Sequence, residues 1–201
     1  MRTVCIASIV EGHGEVEALP ILIRRLAAEI EPGANVVTPR PLRITKSKLL
    51  MAGELERAVK LAASRILPPG GLLVLLDSDA DCPAHLGPRL VERVARPDFP
   101  VAVVLAKSEF EAWFIAAAVS LRSKRGLRSD IIAPQEPEAI QGAKEWLDER
   151  MMPGRKYAET LDQPALTALF DLEPARRLRS FDKMWRSIEY LLARAVEEPQ
   201  P

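Results

Sequence analysis

The sequence predicts an α/β fold: a mainly parallel, four-stranded sheet flanked by helices over residues 1–120, with a helical C-terminal extension over residues 121–201 packed on it. Three observations predict it. Four short apolar runs, at residues 3–10, 35–38, 72–76 and 101–106, alternate with helical patterns in the first half. The first, third and fourth runs are apolar almost throughout rather than alternating, as in strands covered on both faces. Beyond Leu121 the strand pattern disappears and apolar residues recur at helical spacing.

The first strand, residues 3–10, passes directly into Glu11-Gly12-His13-Gly14-Glu15. The helix after it, about residues 15–29, sets Leu19, Leu22, Ile23 and Leu26 on one face. Glu15 and Glu17 fall in its first turn, where acids suit the helix dipole, and Glu31-Pro32-Gly33 ends it. The second strand, 35–38, is cut short by Pro39 and Pro41, and a basic loop carrying Arg40, Arg43, Lys46 and Lys48 follows. A helix over about 51–66 aligns Leu55, Val59, Leu61 and Ala62, then breaks at Pro68-Pro69-Gly70-Gly71. The third strand runs into Asp77-Ser78-Asp79-Ala80-Asp81. A helix over about 87–95, closed by Pro97, leads to the fourth strand, and a helix over about 109–121 follows that. In the extension, residues 122–130 read as a charged loop, 137–149 as helical and 161–169 as a capped helix. The final helix, 180–196, carries Phe181, Met184, Trp185, Ile188, Leu191 and Leu192 on one face, and the polar tail 197–201 is expected to fray.

Composition limits what the chain can do. Its 201 residues, 48% of them hydrophobic, suffice for one ordinary core. Lys and Arg number 28, as do Asp and Glu, so bulk charge gives no argument for nucleic acid and any electropositive surface must be local. Two cysteines, Cys5 and Cys82, argue against a disulfide framework and for a reducing cytoplasm. The N-terminal apolar run is short and passes straight into acidic residues, unlike a signal peptide, and no run is long enough to span a membrane.

The chemistry-bearing residues are the two acidic clusters. Each follows an apolar strand, at the carboxyl edge where open α/β sheets bind ligands. Carboxylates converging on one edge repel unless a cation neutralises them, and hard oxygen ligands suit Mg²⁺ or Mn²⁺. That is the chemistry of phosphoryl transfer or phosphodiester hydrolysis. The metal set expected from position is Glu11, Glu15, Asp77, Asp79 and Asp81. Glu11 is a direct ligand or general base. Alternation along an extended turn aims Asp77 and Asp79 the same way, Asp81 lies further out, and Glu15 joins a second ion or simply charges a helix start.

Other positions are secondary. His13, between two glycines at a helix entrance, cradles a phosphate or is an exposed turn residue. Glu109 and Glu111 extend the acidic edge or enrich a helix N-terminus capped by Ser108. Lys107, Lys156, Ser180 and Lys183 are the candidates for contacting substrate phosphate; lysines on helices are otherwise solvated faces. The runs 40–48 and 122–128 are the two places that suggest a DNA or RNA track, without the aromatics that base stacking uses. Trp113, Trp146 and Trp185 read as packing residues.

An acid-glycine pair after the first strand, Glu11-Gly12, and an Asp-x-Asp after the third, Asp77-Ser78-Asp79, resemble the TOPRIM fold of topoisomerases, primases and nucleases of the overcoming-lysogenization-defect type. A narrower resemblance covers nearly the whole chain. The segments from Val10 to Glu15, Lys107-Ser108-Glu109-Phe110-Glu111-Ala112-Trp113-Phe114, Tyr157-Ala158-Glu159-Thr160-Leu161-Asp162-Gln163-Pro164 and Ser180-Phe181-Asp182-Lys183 resemble the TOPRIM-like family known as domain of unknown function 4276. The resemblance implies a bacterial, metal-dependent nuclease-like protein, of a family whose members are sometimes neighbours of ATPases or defence genes, so that DNA or RNA and an ATPase are the partners it suggests. Two other readings stay open: a non-catalytic scaffold that docks an ATPase through its helical third, and a small-molecule phosphohydrolase, which needs no extended basic surface.

Overall fold

The computed structural model describes residues 2–94 and 98–195. Its sheet comprises five strands, all paired in parallel: β1 (Thr3–Val10), β2 (Asn35–Val37), β3 (Leu42–Arg43), β4 (Gly70–Asp77) and β5 (Val101–Ala106). The order is β2-β1-β4-β5, with β3 pairing β1 beyond β2 through Ile9↔Leu42 and Val10↔Arg43. The sequence predicts four of these strands and places β3 in a basic loop. Two residues just after Pro41 carry no periodic signal, so only the pairing with β1 defines this strand.

Helices cover both faces, which explains the continuously apolar strands. Side chains alternate across the sheet. Val4, Ile6, Val10, Leu73 and Leu75 join one apolar cluster, and Ala7, Ile9, Leu72, Val74 and Leu76 join another. The second face is closed by α3 (Glu54–Ala63) and α4 (Pro83–Val94), through Leu55, Val59, Leu86 and Leu90. The first face is closed by α1 (Glu15–Ile30), by α5 (Ala112–Ala116) and by the C-terminal helices. Those are α6 (Ala143–Asp148), α7 (Glu159–Thr167), α8 (Leu172–Arg176) and α9 (Arg179–Arg194), with 3₁₀ turns at Ala118–Leu121 and Pro137–Ala139.

Several helices are shorter than the sequence pattern suggests, and glycine geometry accounts for two of them. The helix expected over 51–66 is the shorter α3, because Gly53 at φ +76° turns the chain just before Glu54; a short helix, α2 (Lys46–Leu49), precedes it in the stretch read as a basic loop. Gly142, at φ +73°, likewise starts α6 and breaks the helix expected over 137–149. The helix expected over 109–121 is α5 plus a 3₁₀ turn, and α4 begins earlier than expected, with Pro83 in its first turn. Helix α8 has no predicted counterpart. Ala95, Pro97, Val196 and the tail 197–201 lie outside the described residues.

The C-terminal helices share a core with the sheet. Trp113 and Phe110 after β5 pack with ring centroids 4.6 Å apart and planes tilted by 48°, and Trp113 meets Phe181 of α9 edge-on at 5.2 Å. Phe170, just before α8, contacts Phe114 and Phe181 at 5.4 and 5.8 Å. The Trp113 indole donates to the Ser180 hydroxyl at 2.8 Å inside this cluster. Since one apolar cluster runs from Val4 to Ala195, the chain is expected to unfold in a single cooperative step. Phe181→Ala is expected to lower the unfolding free energy by about 3–5 kcal/mol, read from urea melts. A separate early transition of the C-terminal third would contradict this packing.

Candidate functional site

The site forms where β1, β4 and β5 end and the C-terminal segment closes over them. Glu11 follows β1, Glu15 opens α1, and Asp77 ends β4. Glu111 sits just before α5, Lys144 in the first turn of α6, Tyr157 on the loop before α7, and Glu159 and Gln163 on α7.

The turn Glu11-Gly12-His13-Gly14 is held from two sides. One Glu15 carboxylate oxygen accepts the backbone N–H groups of Glu11 and Gly12 at 3.0 and 2.9 Å. Glu159 accepts the N–H of Gly14 at 3.1 Å from 145 residues away. A Cβ on Gly14 would collide with the Gln163 side chain and the Glu159 backbone, so this glycine is required by close approach rather than by its φ.

Burial dominates the electrostatics. Glu15 is 2% exposed and Glu111 0%. Burial pushes both carboxyl groups up to about 7; for Glu15 the Gly12 and Glu11 N–H groups oppose the shift, for Glu111 the Lys144 charge and the Tyr157 hydroxyl do. The Asp77 carboxyl is raised well above the ordinary range, first by burial and then by the charges of Glu15 and Glu111. It accepts the Phe110 N–H at 2.8 Å. Burial also raises Glu11, with the Asp79 charge adding and the Lys46 backbone opposing.

A partly exposed cation, Lys144, faces this set. The Lys144 ammonium lies 3.1 Å from a Glu159 oxygen. Burial alone would lower its pKa, but the charges of Glu111, Glu159 and Asp77 carry it above the usual lysine value. Burial would raise Glu159, yet the Gly14 N–H and Lys144 hold it below the ordinary carboxylate range. Around Glu111, one oxygen accepts the Tyr157 hydroxyl at 2.9 Å and the Gln163 amide at 3.3 Å. Three buried acceptors here have no partner: Oε2 of Glu11, Oε2 of Glu111 and Oε1 of Gln163. Unpaired buried polar atoms are costly, and three of them gather at this site.

Asp79 and Asp81 turn elsewhere. Residue Asp79 takes a left-handed conformation, φ +49°, which ends the alternation beyond Asp77. Its carboxylate and that of Asp81 each lie 2.9 Å from the buried Lys46 ammonium, which also donates to the Ser78 carbonyl at 2.7 Å. Burial would lower the Lys46 pKa, but these two partners raise it. Asp77 and Asp79 therefore do not aim the same way. Glu11 stands between the two groups and senses both Asp79 and Lys144. Among the described residues, no group of three or more His, Cys, Asp or Glu side chains is arranged to hold a metal ion as it stands.

The remaining expected residues scatter. His13 is exposed on the rim, near enough to Glu159 for its charge to act there. Glu109 accepts the Ala143 N–H at 2.9 Å and so caps α6 beside Lys144. Ser108 is no helix cap; at φ +61° its N–H donates to the Ser78 hydroxyl. Lys107, Ser180 and Lys183 line a cavity that includes none of these carboxylates, and the Ser180 hydroxyl is taken up by Trp113. Lys156 is exposed on the loop before α7. The two basic runs are largely engaged internally: Lys46 with Asp79 and Asp81, Arg40 with Glu17, Arg122 with the Ile131 carbonyl, Arg125 with buried Asp162 and Arg128 with Asp130. Lys144 is absent from the residues singled out by sequence, and Tyr157, Glu159 and Gln163 are marked there only by the family resemblance.

These shifts fix the sign of the pH dependence. Glu15 and Glu111 titrate near 4.5 when unfolded and near 7 when folded, so between those values the folded protein binds more protons. Stability then falls as pH rises through that window, by up to about 1.4 kcal/mol per pH unit for each group. The metal-free protein is expected to melt at a higher temperature at pH 5 than at pH 8, with Glu111→Gln flattening the profile. A melting temperature that rises between those pH values would refute the buried-carboxyl arrangement.

No curated protein and no solved structure matches the chain. A family model described as Domain of unknown function (DUF4276) matches residues 10–189, from the end of β1 into α9. That span takes in every residue of the site, from Glu11 to Gln163. The chain belongs to this family.

Proposed function

We propose that the protein is a Mg²⁺- or Mn²⁺-dependent hydrolase of phosphodiesters in DNA or RNA, centred on Glu11, Asp77 and Glu111. The observation that carries this reading is the pair of buried carboxylate oxygens without partners, on Glu11 and Glu111, beside an Asp77 carboxyl whose ionisation is strongly disfavoured. A divalent ion would complete both orphan oxygens and relieve the repulsion, and an all-oxygen donor set suits these two metals. Taking up the ion asks these carboxyl groups to close on it, since no three of them meet as they stand. Bound there, the ion would polarise a phosphate and acidify a water.

The chain's own groups have definable tasks. Glu15 and Glu159 hold the Glu11 turn by its N–H groups, fixing the side chain that faces both acidic groups. Tyr157 and Gln163 fix Glu111 by one oxygen and leave the other open. Lys144 and Lys46 supply positive charge on either side of Glu11, suited to the oxygens of a phosphate in a site of low dielectric. The resemblance to the TOPRIM fold at Glu11-Gly12 and Asp77-Ser78-Asp79 supports the same chemistry, and with it a place in bacterial defence beside an ATPase.

One observation favours a second reading. Lys144 already neutralises part of the cluster from within, so the carboxylates are tolerable in a scaffold that never binds metal and instead docks an ATPase. Cleavage assays on labelled DNA and RNA with Mn²⁺ or Mg²⁺ separate the two. The proposal expects metal-dependent cleavage that falls at least about a hundredfold in Glu11→Gln and in Glu111→Gln. Cleavage at the wild-type rate in both variants would place the activity elsewhere and favour the scaffold.

A further inference from the structure

A groove lies along the outer edge of the sheet. Strand β5 pairs with β4 on one side, and among the described residues no strand pairs with its other side. The Leu72 N–H donates to the Pro100 carbonyl and the Ser78 N–H to the Ala106 carbonyl, so even-numbered residues turn their backbone toward β4. The N–H and C=O groups of Val101, Val103 and Leu105 therefore face away from β4, at the floor of a groove where Val103 is 4% and Leu105 5% exposed. Val103 and Leu105 also line a cavity of about 1120 Å³ between α4 and the start of α9.

Its two walls differ in chemistry. The α4 wall is small and apolar, with Pro83, Ala84, Pro88 and Val91, the last 44% exposed. The α9 wall is basic: Arg177, Arg179, Lys183 and Arg186 line it, with Lys107 at the end of β5. Arg186 is paired with Asp182 at 2.8 Å. The acids Glu136 and Glu138 also line the cavity, but Glu138 accepts the Ser180 N–H. Burial and then the neighbouring Arg186 push the Lys183 amine down, as expected of a cation short of a counter-charge.

We propose that this groove binds an acidic, extended peptide of a partner protein, which adds to β5 as a further strand. An added strand directs alternate side chains to opposite faces. One set would meet the apolar α4 wall and the other the basic α9 wall, so the fitting sequence alternates apolar and acidic residues. A single-stranded nucleic acid satisfies the charge but not the strand edge, and the lining has no aromatic side chain on which a base could stack. The volume slightly exceeds that of typical small-ligand cavities, about 300–1000 Å³, in keeping with a segment of chain. A second copy of this protein would bring its own basic wall against the first.

The test uses the full chain and a fluorescein-labelled hexapeptide alternating Glu and Val, followed by anisotropy. Three controls accompany it: the same peptide N-methylated at alternate residues, a Lys/Val hexapeptide, and a labelled oligothymidine. The proposal expects saturable, salt-weakened binding of the Glu/Val peptide. N-methylation should weaken it by at least about tenfold, and so should Arg177→Glu combined with Arg179→Glu, both exposed positions. The Lys/Val peptide should not bind. The N-methylated peptide tests the strand edge on the wild type, independently of how the variant folds. No saturable binding of the Glu/Val peptide, equal binding after N-methylation, or displacement of the peptide by oligothymidine that the double variant abolishes would overturn the proposal.

Discussion

The Lys144 ammonium among the carboxylates of Glu111, Glu159 and Asp77 is the interaction on which the site depends. Burying the carboxyl groups of Glu111 and Asp77 is expensive, and the charges of neighbouring carboxylates add to the cost. A tethered cation offsets both. It does so incompletely, because Glu15 and Glu111 still titrate near 7 and Asp77 higher than an ordinary aspartate. Carboxyl groups shifted in this way cluster at functional sites.

Lys144 reaches this position through chain geometry. Gly142 in the left-handed region turns the chain into α6, and Glu109, from the end of β5, receives the Ala143 N–H that begins that helix. On the other side, Gly14 lets α7 approach the β1–α1 turn closely enough for Glu159 to bind it. The C-terminal segment thus supplies half of the polar site while its apolar side chains, Leu166, Phe170 and Phe181, complete the core on one sheet face. Packing and site assembly are one event: the same ordering of α6 and α7 buries apolar area and carries Lys144, Tyr157, Glu159 and Gln163 to the strand ends.

The sequence makes the sheet legible because both its faces are buried, which leaves continuous apolar runs; β3 escapes notice because two residues cannot show a period. Glu11 and Asp77 are legible as acids at strand ends, and the structure does bring both to that edge. Asp79 follows from the same motif but diverges, since its left-handed backbone breaks the alternation assumed for an extended turn. Glu111 looks like a helix-start acid on spacing alone, yet it is fully buried. Lys46 looks like part of a basic track and is instead the buried partner of Asp79 and Asp81. Lys144 leaves no local signal: a lysine in a polar helix is ordinarily solvated, and only long-range packing distinguishes this one.

In the proposed function the orphan oxygens of Glu11 and Glu111 belong to a divalent-cation site. Its most direct test is the melting temperature of the protein titrated with Mn²⁺ near pH 7.5, for the wild type and Glu111→Gln. A ligand that binds only the folded state raises stability by mass action. A saturable rise is expected for the wild type and should be largely lost in the variant. A wild type indifferent to Mn²⁺, or a variant stabilised as strongly as the wild type, would contradict it.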